Sequence, residues 1–161
     1  MSRRGVPFAI VGFSIGAVAG LRALTAPMAV SWAARLGWID VRRSWARLLG
    51  RGPTPWILTA LALAELVNDK SPKTPRRTAA PSFAFRLLSG AFCGAALATG
   101  SDRAALVGAA LGAAGAVAGT LGGYQARTRL VEKLDVRDVA VALPEDGLAV
   151  GGGLLVASAL R

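Results

Sequence analysis

The sequence predicts an all-α fold, a polytopic transmembrane helical bundle with about five spans, and three observations lead to that prediction. Of the 161 residues, 53% are hydrophobic and only 17% are charged, whereas an ordinary soluble domain has about 25% charged residues. The charges lie between long uncharged stretches, and the stretch 104–126 alone exceeds the about 20 residues that cross a bilayer as a helix. A chain this short has too little interior to bury so many apolar helices away from water.

The first predicted span covers residues 6–34, and its sequence predicts a discontinuity. Arg22 places a charge within the span, and Pro27 removes a backbone hydrogen bond and clashes with the preceding helical turn. We therefore expect this helix to be kinked or broken between residues 22 and 27.

Residues 40–51 have a different pattern, because they combine apolar and basic residues. Val41, Trp45, Leu48 and Leu49 recur at helical spacing, and arginines occupy the other sides. This pattern is typical of an amphipathic helix that lies in the membrane interface. The alternative is a solvated basic loop.

Four further spans follow, at 54–69, 83–99, 103–124 and 138–160. The first of these four begins at Thr54-Pro55, a cap residue followed by a proline in the first helical turn. The last is interrupted near its start by Pro144-Glu-Asp-Gly147. All five spans are expected to form a single transmembrane domain over residues 1–161.

The chain contains a short internal repeat of small residues, in which Gly16-Ala-Val-Ala-Gly20 recurs as Gly115-Ala-Val-Ala-Gly119. Glycines four residues apart let helix backbones approach closely in lipid. If every span crosses once, the two copies lie on helices of opposite direction, which is the arrangement of an inverted repeat in transporters. The alternative is a chance match in a chain rich in alanine and glycine.

Charged residues within or beside the apolar spans are the candidates for a functional site. An ionised group at mid-membrane costs roughly 2.5–3.5 kcal/mol on insertion scales, so it is kept where it is paired, hydrated or used. Two acids lie four residues apart near the end of the second span, and two lie at the interruption of the last span. With two basic counter-charges, the predicted ion or transport site consists of Glu65, Asp69, Glu145, Asp146, Arg22 and Lys70.

Three roles remain open for these residues. In the first, the acids line a polar cavity of a small transporter or channel-like protein and serve cation or proton-coupled movement. In the second, they form static ion pairs with the basic residues. In the third, the chain does not transport, and Arg42, Arg43, Arg47 and the basic loop 70–81 bind a partner protein or anionic lipid headgroups.

The composition of the chain narrows the remaining classes of function. The chain has no histidine and one cysteine, which argues against histidine-based catalysis and most zinc sites. We expect no enzyme, no cofactor and no metal. The net charge of +10 suits anionic lipids, and its distribution between apolar stretches argues against nucleic-acid binding. The expected partners are the lipid bilayer, its anionic lipids and further copies of the chain in a homo-oligomer, and the basic residues weakly favour an N-terminus inside the cell.

Several motifs together resemble a known family. They are Gly20-Leu-Arg22, Glu65-Leu-Val-Asn-Asp69-Lys70-Ser-Pro72, Gly122-Gly-Tyr-Gln-Ala-Arg127 and Val139-Ala-Val-Ala-Leu-Pro-Glu145-Asp146. Over nearly the whole chain they are similar to small bacterial integral membrane proteins of the DUF4126 type, a domain of unknown function. The resemblance implies a single multi-pass domain in the cytoplasmic (inner) membrane of a bacterium, and it implies no activity.

Overall fold

The described part of the chain is all-helical. A computed structural model describes residues 7–41, 44–68, 80–99, 103–134 and, near the end, 147, 149–153, 155–156 and 158. Its α-helices are α1 (Phe8–Leu21), α2 (Thr25–Arg35), α3 (Thr54–Asn68), α4 (Ala80–Thr99) and α5 (Ala105–Leu134). The described residues between 147 and 158 are also helical and are called the C-terminal segment. Because these ranges contain no strand, the predicted all-α class is confirmed for them.

The predicted discontinuity in the first span is confirmed. α1 ends at Leu21 and α2 begins at Thr25. Arg22, the residue after α1, has extended backbone dihedrals of φ −143° and ψ 111°. Pro27 lies in the first turn of α2, where a proline is tolerated because the backbone N–H would have no partner within the helix.

The two halves of this span run in opposite directions, which corrects the expectation of one kinked span over residues 6–34. The start of α1 lies at the C-terminal end of α4, where the Arg103 guanidinium carbon lies 5.4 Å from the ring centre of Phe8. The segment after α2 lies at that same end, where the hydroxyl oxygens of Ser44 and Thr99 are 3.3 Å apart. α1 and α2 therefore form a helical hairpin that returns to the end from which it started.

The tip of this hairpin, residues 22–24, lies inside the bundle. α1 has 14 residues and α2 has 11, which correspond to about 21 Å and 16 Å at the usual helical rise. Neither half is long enough to cross a hydrocarbon core of about 30 Å. Arg86, in the second turn of α4, contacts the end of α1, so the tip lies about 20 Å along α4 from its C-terminal end.

Glycines determine how closely α1, α4 and α5 pack. A Cβ added at Gly16 would overlap the backbone of Gly112, and a Cβ added at Gly94 would overlap the backbone of Gly108. These helices are therefore in backbone contact at positions that only glycine allows. The close packing predicted from the glycine spacing is confirmed, and it occurs within one chain.

Both copies of the internal repeat lie at the crossing of α1 and α5. Gly12 is next to Leu111 at one end of this contact, and Gly20 is next to Ala116 and Thr120 at the other. Sequence numbers rise together along the two helices, so α1 and α5 run parallel. An inverted repeat requires opposite directions, and this pair of helices does not have them. The reason is the hairpin, which returns the chain to its first side before α3 begins.

Residues 40–51 do not form the predicted amphipathic α-helix. Their regular structure among the described residues is one 3-10 turn, Trp45–Leu48. Ser44 caps this turn, since its hydroxyl oxygen accepts a hydrogen bond of 3.2 Å from the backbone N–H of Ala46. Two of the arginines expected on the polar side lie outside the described residues, namely Arg42 and Arg43.

The apolar residues of this segment divide between the core and the surface. Val41 and Leu49 are buried in the main hydrophobic core with α2 and α4, whereas Trp45 and Leu48 are 48% and 63% exposed. A 3-10 turn has three residues per turn and does not keep the α-helical spacing on one face. The segment therefore closes one end of the bundle and presents Trp45 and Leu48 outward.

Two described helical stretches are long and apolar enough to cross a membrane, Ala80–Thr99 and Ala105–Leu130. α1 and the range Thr54–Val67 are apolar but shorter. The spans predicted at 54–69, 83–99 and 103–124 correspond to α3, α4 and the first two thirds of α5. Of the span predicted at 138–160, the structure describes the C-terminal segment.

Candidate polar site at the helix break

The break between α1 and α2 leaves backbone N–H and carbonyl groups without the partners that a continuous helix would provide. Glu65 of α3 binds the N–H groups at the start of α2. Its Oε1 accepts a hydrogen bond of 2.8 Å from the Ala23 N–H, and its Oε2 accepts one of 2.8 Å from the Leu24 N–H. The N-terminus of a helix carries partial positive charge and unpaired N–H groups. A carboxylate at this position therefore caps α2 with both of its oxygens.

Arg86 of α4 provides the complementary cap for α1. Its Nη1 donates hydrogen bonds of 2.8 Å and 2.6 Å to the carbonyl oxygens of Gly20 and Leu21. The C-terminus of a helix carries partial negative charge and unpaired carbonyl oxygens, so a cation is favoured there. Arg86 is only 3% exposed, so this contact lies in the interior of the bundle.

Two hydroxyl groups complete the contacts of the break. Ser89 Oγ, one helical turn after Arg86, donates to the carbonyl oxygen of Ala23. Thr120 Oγ1 of α5 donates a hydrogen bond of 3.1 Å to the carbonyl oxygen of Gly20. Three different helices therefore hold the tip of the hairpin. We call Glu65, Arg86, Ser89 and Thr120, with the tip 22–24, the break site.

Arg22 and Thr25 bring further polarity into the same region. Arg22 is 1% exposed and is the largest fully buried side chain among the described residues. Thr25 is also 1% exposed, and its Oγ1 has no hydrogen-bond partner among the described residues. A buried hydroxyl without a partner costs about 1–3 kcal/mol. Such a cost is unusual in a core that serves packing alone.

The chemistry of the break site is that of a discontinuous helix. Two helix ends of opposite polarity meet, and each binds a side chain of the opposite charge. In a water-poor interior these charge-assisted hydrogen bonds are stronger than they would be in water. Glu65 and Arg86 therefore hold the start of α2 and the end of α1 through hydrogen bonds from charged groups.

Of the six residues predicted for the ion site, the structure brings Glu65 and Arg22 to the break. Glu65 is half-buried, as expected of an acid that water still reaches. The other four lie outside the described residues, and these are Asp69, Lys70, Glu145 and Asp146. Within the described ranges no group of three or more histidine, cysteine, aspartate and glutamate residues is arranged to hold a metal ion.

Sequence reasoning missed Arg86, Ser89 and Thr120. Arg86 carried a usable signal, because it is a single charge within an otherwise uncharged apolar stretch of α4. It lies in the predicted span 83–99, where sequence reasoning gave it no role. Ser89 and Thr120 carried none, since isolated hydroxyl residues are common in membrane helices and usually bond to their own helix.

The fold and the site together define the class of the protein. It is an all-helical bundle in which two helices meet at a break, and a charged side chain caps each helix end at that break. Within that class, the chain belongs to a family described as a domain of unknown function, DUF4126, whose model matches residues 9–159. The resemblance inferred from the motifs is thereby confirmed. No curated protein and no solved structure matches the chain.

Proposed function

We propose that this protein is a multi-pass integral membrane protein that moves protons or small cations through the break site. The observation that carries the proposal is the pair of charged caps, half-buried Glu65 on α2 and buried Arg86 on α1, at a helix break inside an apolar bundle. Discontinuous helices near the membrane centre are where transporters place substrate and coupling ions.

The outward faces of the helices support a membrane environment. Val67 of α3, Leu88 of α4 and Leu106 of α5 are 73%, 67% and 80% exposed, while the interior between these helices holds arginine, serine and threonine side chains. Soluble proteins rarely expose apolar patches beyond a few hundred Å². Lipid would cover these faces at no cost.

In the proposed arrangement α4 and α5 cross the membrane, and the α1–α2 hairpin enters and leaves on one side. α3 and the C-terminal segment are the shorter elements that complete the bundle. Irregular backbone at membrane depth is tolerated where protein groups satisfy it, as Glu65 and Arg86 do here. This arrangement replaces the five single crossings expected from hydropathy. The basic residues are then divided differently between the two sides, so they no longer favour an N-terminus inside the cell.

The test is a flux measurement on purified protein in proteoliposomes that contain a pH-sensitive dye. Wild-type protein should dissipate an imposed proton gradient faster than empty liposomes. Glu65→Gln, which keeps the size of the side chain but removes its charge, should abolish the difference. Asp40→Asn, which changes an exposed acid outside the break site, is the matched control and should leave the flux unchanged.

Two outcomes contradict the proposal. One is wild-type flux no greater than that of empty liposomes under proton, Na⁺ and K⁺ gradients. The other is flux in the Glu65→Gln variant equal to that of wild type, which would show that ions take a route away from the break site. Circular dichroism of each variant establishes that the protein is folded.

A second candidate function is docking to anionic lipid without transport. Arg47 and Arg51 are exposed beside the exposed Trp45 and Leu48, at the end of the bundle where the hairpin begins and returns. Basic residues next to tryptophan are typical of a membrane interface with anionic headgroups. In nanodiscs, a double Arg47→Ala and Arg51→Ala variant should then lose a preference for phosphatidylglycerol over phosphatidylcholine.

The remaining expectations belong to the same proposal. We place the protein in the inner membrane of a bacterium, because the apolar faces require lipid and the family resemblance implies that membrane. We also propose a homo-oligomer. The glycine faces first considered for association are used within the chain, so the contact would involve the outer face of α5, where small exposed residues recur every fourth position at Ala110, Ala114, Ala118 and Gly122.

A further inference from the structure

Oxygen atoms of the chain gather at the end of α1 in a way that suits a cation. The carbonyl oxygens of Gly20 and Leu21 both accept hydrogen bonds from Arg86. Thr120 Oγ1 lies 3.1 Å from the first of these oxygens. Backbone carbonyls at unwound helix ends, together with hydroxyl oxygens, are the ligands that discontinuous membrane helices offer to Na⁺.

In this protein a side chain already holds that position. The guanidinium of Arg86 is permanently charged, and its Nη1 donates to both of these adjacent carbonyl oxygens. Its side chain is 3% exposed. A dissolved metal ion would have to displace a cation that is tethered to α4 and therefore has a very high effective concentration at the site.

We propose that Arg86 is a tethered cation that replaces a bound metal ion at the carbonyl oxygens of Gly20 and Leu21. The helix break is then complete without Na⁺ or K⁺. One consequence rests on the proposed function: the coupled species is a proton and not a metal cation, because the oxygen ligands for a metal cation at the break are already taken. Arg86 acts as a positioning residue for the tip of the hairpin.

The first experiment measures the thermal unfolding of purified protein in detergent. Wild-type protein should have the same Tm in NaCl, KCl and choline chloride at equal ionic strength. Arg86→Ala should lower the Tm and leave a vacant cation site. Guanidinium at millimolar concentration should then raise the Tm of this variant by about 3–6 °C, as expected for a ligand present at roughly ten times its Kd.

The matched control is Arg47→Ala, which removes an exposed arginine outside the break site. Its Tm should stay near that of wild type and should not respond to low guanidinium. A general effect of guanidinium on the protein or on the detergent would appear equally in this control. The rescue of Arg86→Ala is therefore specific only if the control does not show it.

A second pair of variants keeps the proposal testable if Arg86→Ala does not fold. Arg86→Lys retains a cation and Arg86→Gln does not, although both side chains can donate hydrogen bonds to carbonyls. The proposal predicts a higher Tm for Arg86→Lys than for Arg86→Gln. Equal values would overturn it, because hydrogen bonding without charge would then be sufficient.

Two further results would overturn the proposal. The first is a rise in the wild-type Tm with Na⁺ or K⁺ relative to choline, which would show a separate metal site. The second is a folded Arg86→Ala variant whose Tm does not respond to guanidinium. None of these measurements involves flux, so a failure of the tethered-cation proposal is distinct from a failure of the transport proposal.

Discussion

Replacing Glu65 by alanine removes both acceptors at the N-terminus of α2 and leaves the N–H groups of Ala23 and Leu24 unbonded. A hydrogen bond to a charged group contributes about 1.5–3 kcal/mol, and loss of an N-cap costs about 0.5–2 kcal/mol. Because Glu65 is half-buried, water can reach part of the vacated site, and the lower part of this range applies. We expect Glu65→Ala to reduce the free energy of unfolding by about 1.5–2 kcal/mol.

The assay is reversible unfolding in mixed micelles of dodecylmaltoside and sodium dodecyl sulfate, followed by circular dichroism. Glu65→Gln retains one acceptor oxygen for the two N–H groups and should lose about half as much stability. Gln125→Ala changes an exposed polar side chain of α5 and should stay within about 0.5 kcal/mol of wild type. If Glu65→Ala is as stable as this control, Glu65 does not hold the hairpin and the reasoning is refuted.

Two further predictions concern packing. Gly16→Ala should prevent native packing of α1 on α5, because the added Cβ overlaps the backbone of Gly112. Gly122→Ala places its Cβ in open space and should be neutral or stabilising by up to about 1 kcal/mol. Unfolding in mixed micelles compares the two variants, and equal effects would contradict the close contact of α1 with α5. Ala114→Cys, on the outer face of α5, should form a disulfide-linked dimer under mild oxidation in membranes. Gln125→Cys should give a lower yield of this dimer. Equal dimer yields would argue against an oligomer that forms through this face.

Much of the helix pattern could be predicted from the sequence, because apolar stretches and prolines act locally. Pro27 and Arg22 marked the break, and Thr54 with Pro55 marked the start of α3. The direction of the chain after the break could not be predicted. It depends on contacts with Arg86, which lies more than 60 residues away in sequence and acts through hydrogen bonds that hydropathy does not register.

The segment 40–51 shows a different limit of sequence reasoning. Apolar residues at helical spacing predict a face only if the backbone is an α-helix. Here Ser44 caps a single 3-10 turn, and Gly52 takes a φ of 54° shortly afterwards, which a helix does not allow. The sequence singled out Glu65 for its charge, but its hydrogen-bond partners in the structure are backbone groups, which no pattern of side chains reveals.

The most direct test of the hairpin is the sidedness of three single cysteines in oriented membrane vesicles. Pro7→Cys lies at the start of α1, Leu36→Cys follows α2, and Thr128→Cys lies near the far end of α5; native Cys93 is buried and defines the background. A membrane-impermeant maleimide should label Pro7→Cys and Leu36→Cys from one side and Thr128→Cys from the other. Labelling of Pro7→Cys and Leu36→Cys from opposite sides would show that the first span crosses once, and would contradict both the hairpin and the break site built on it.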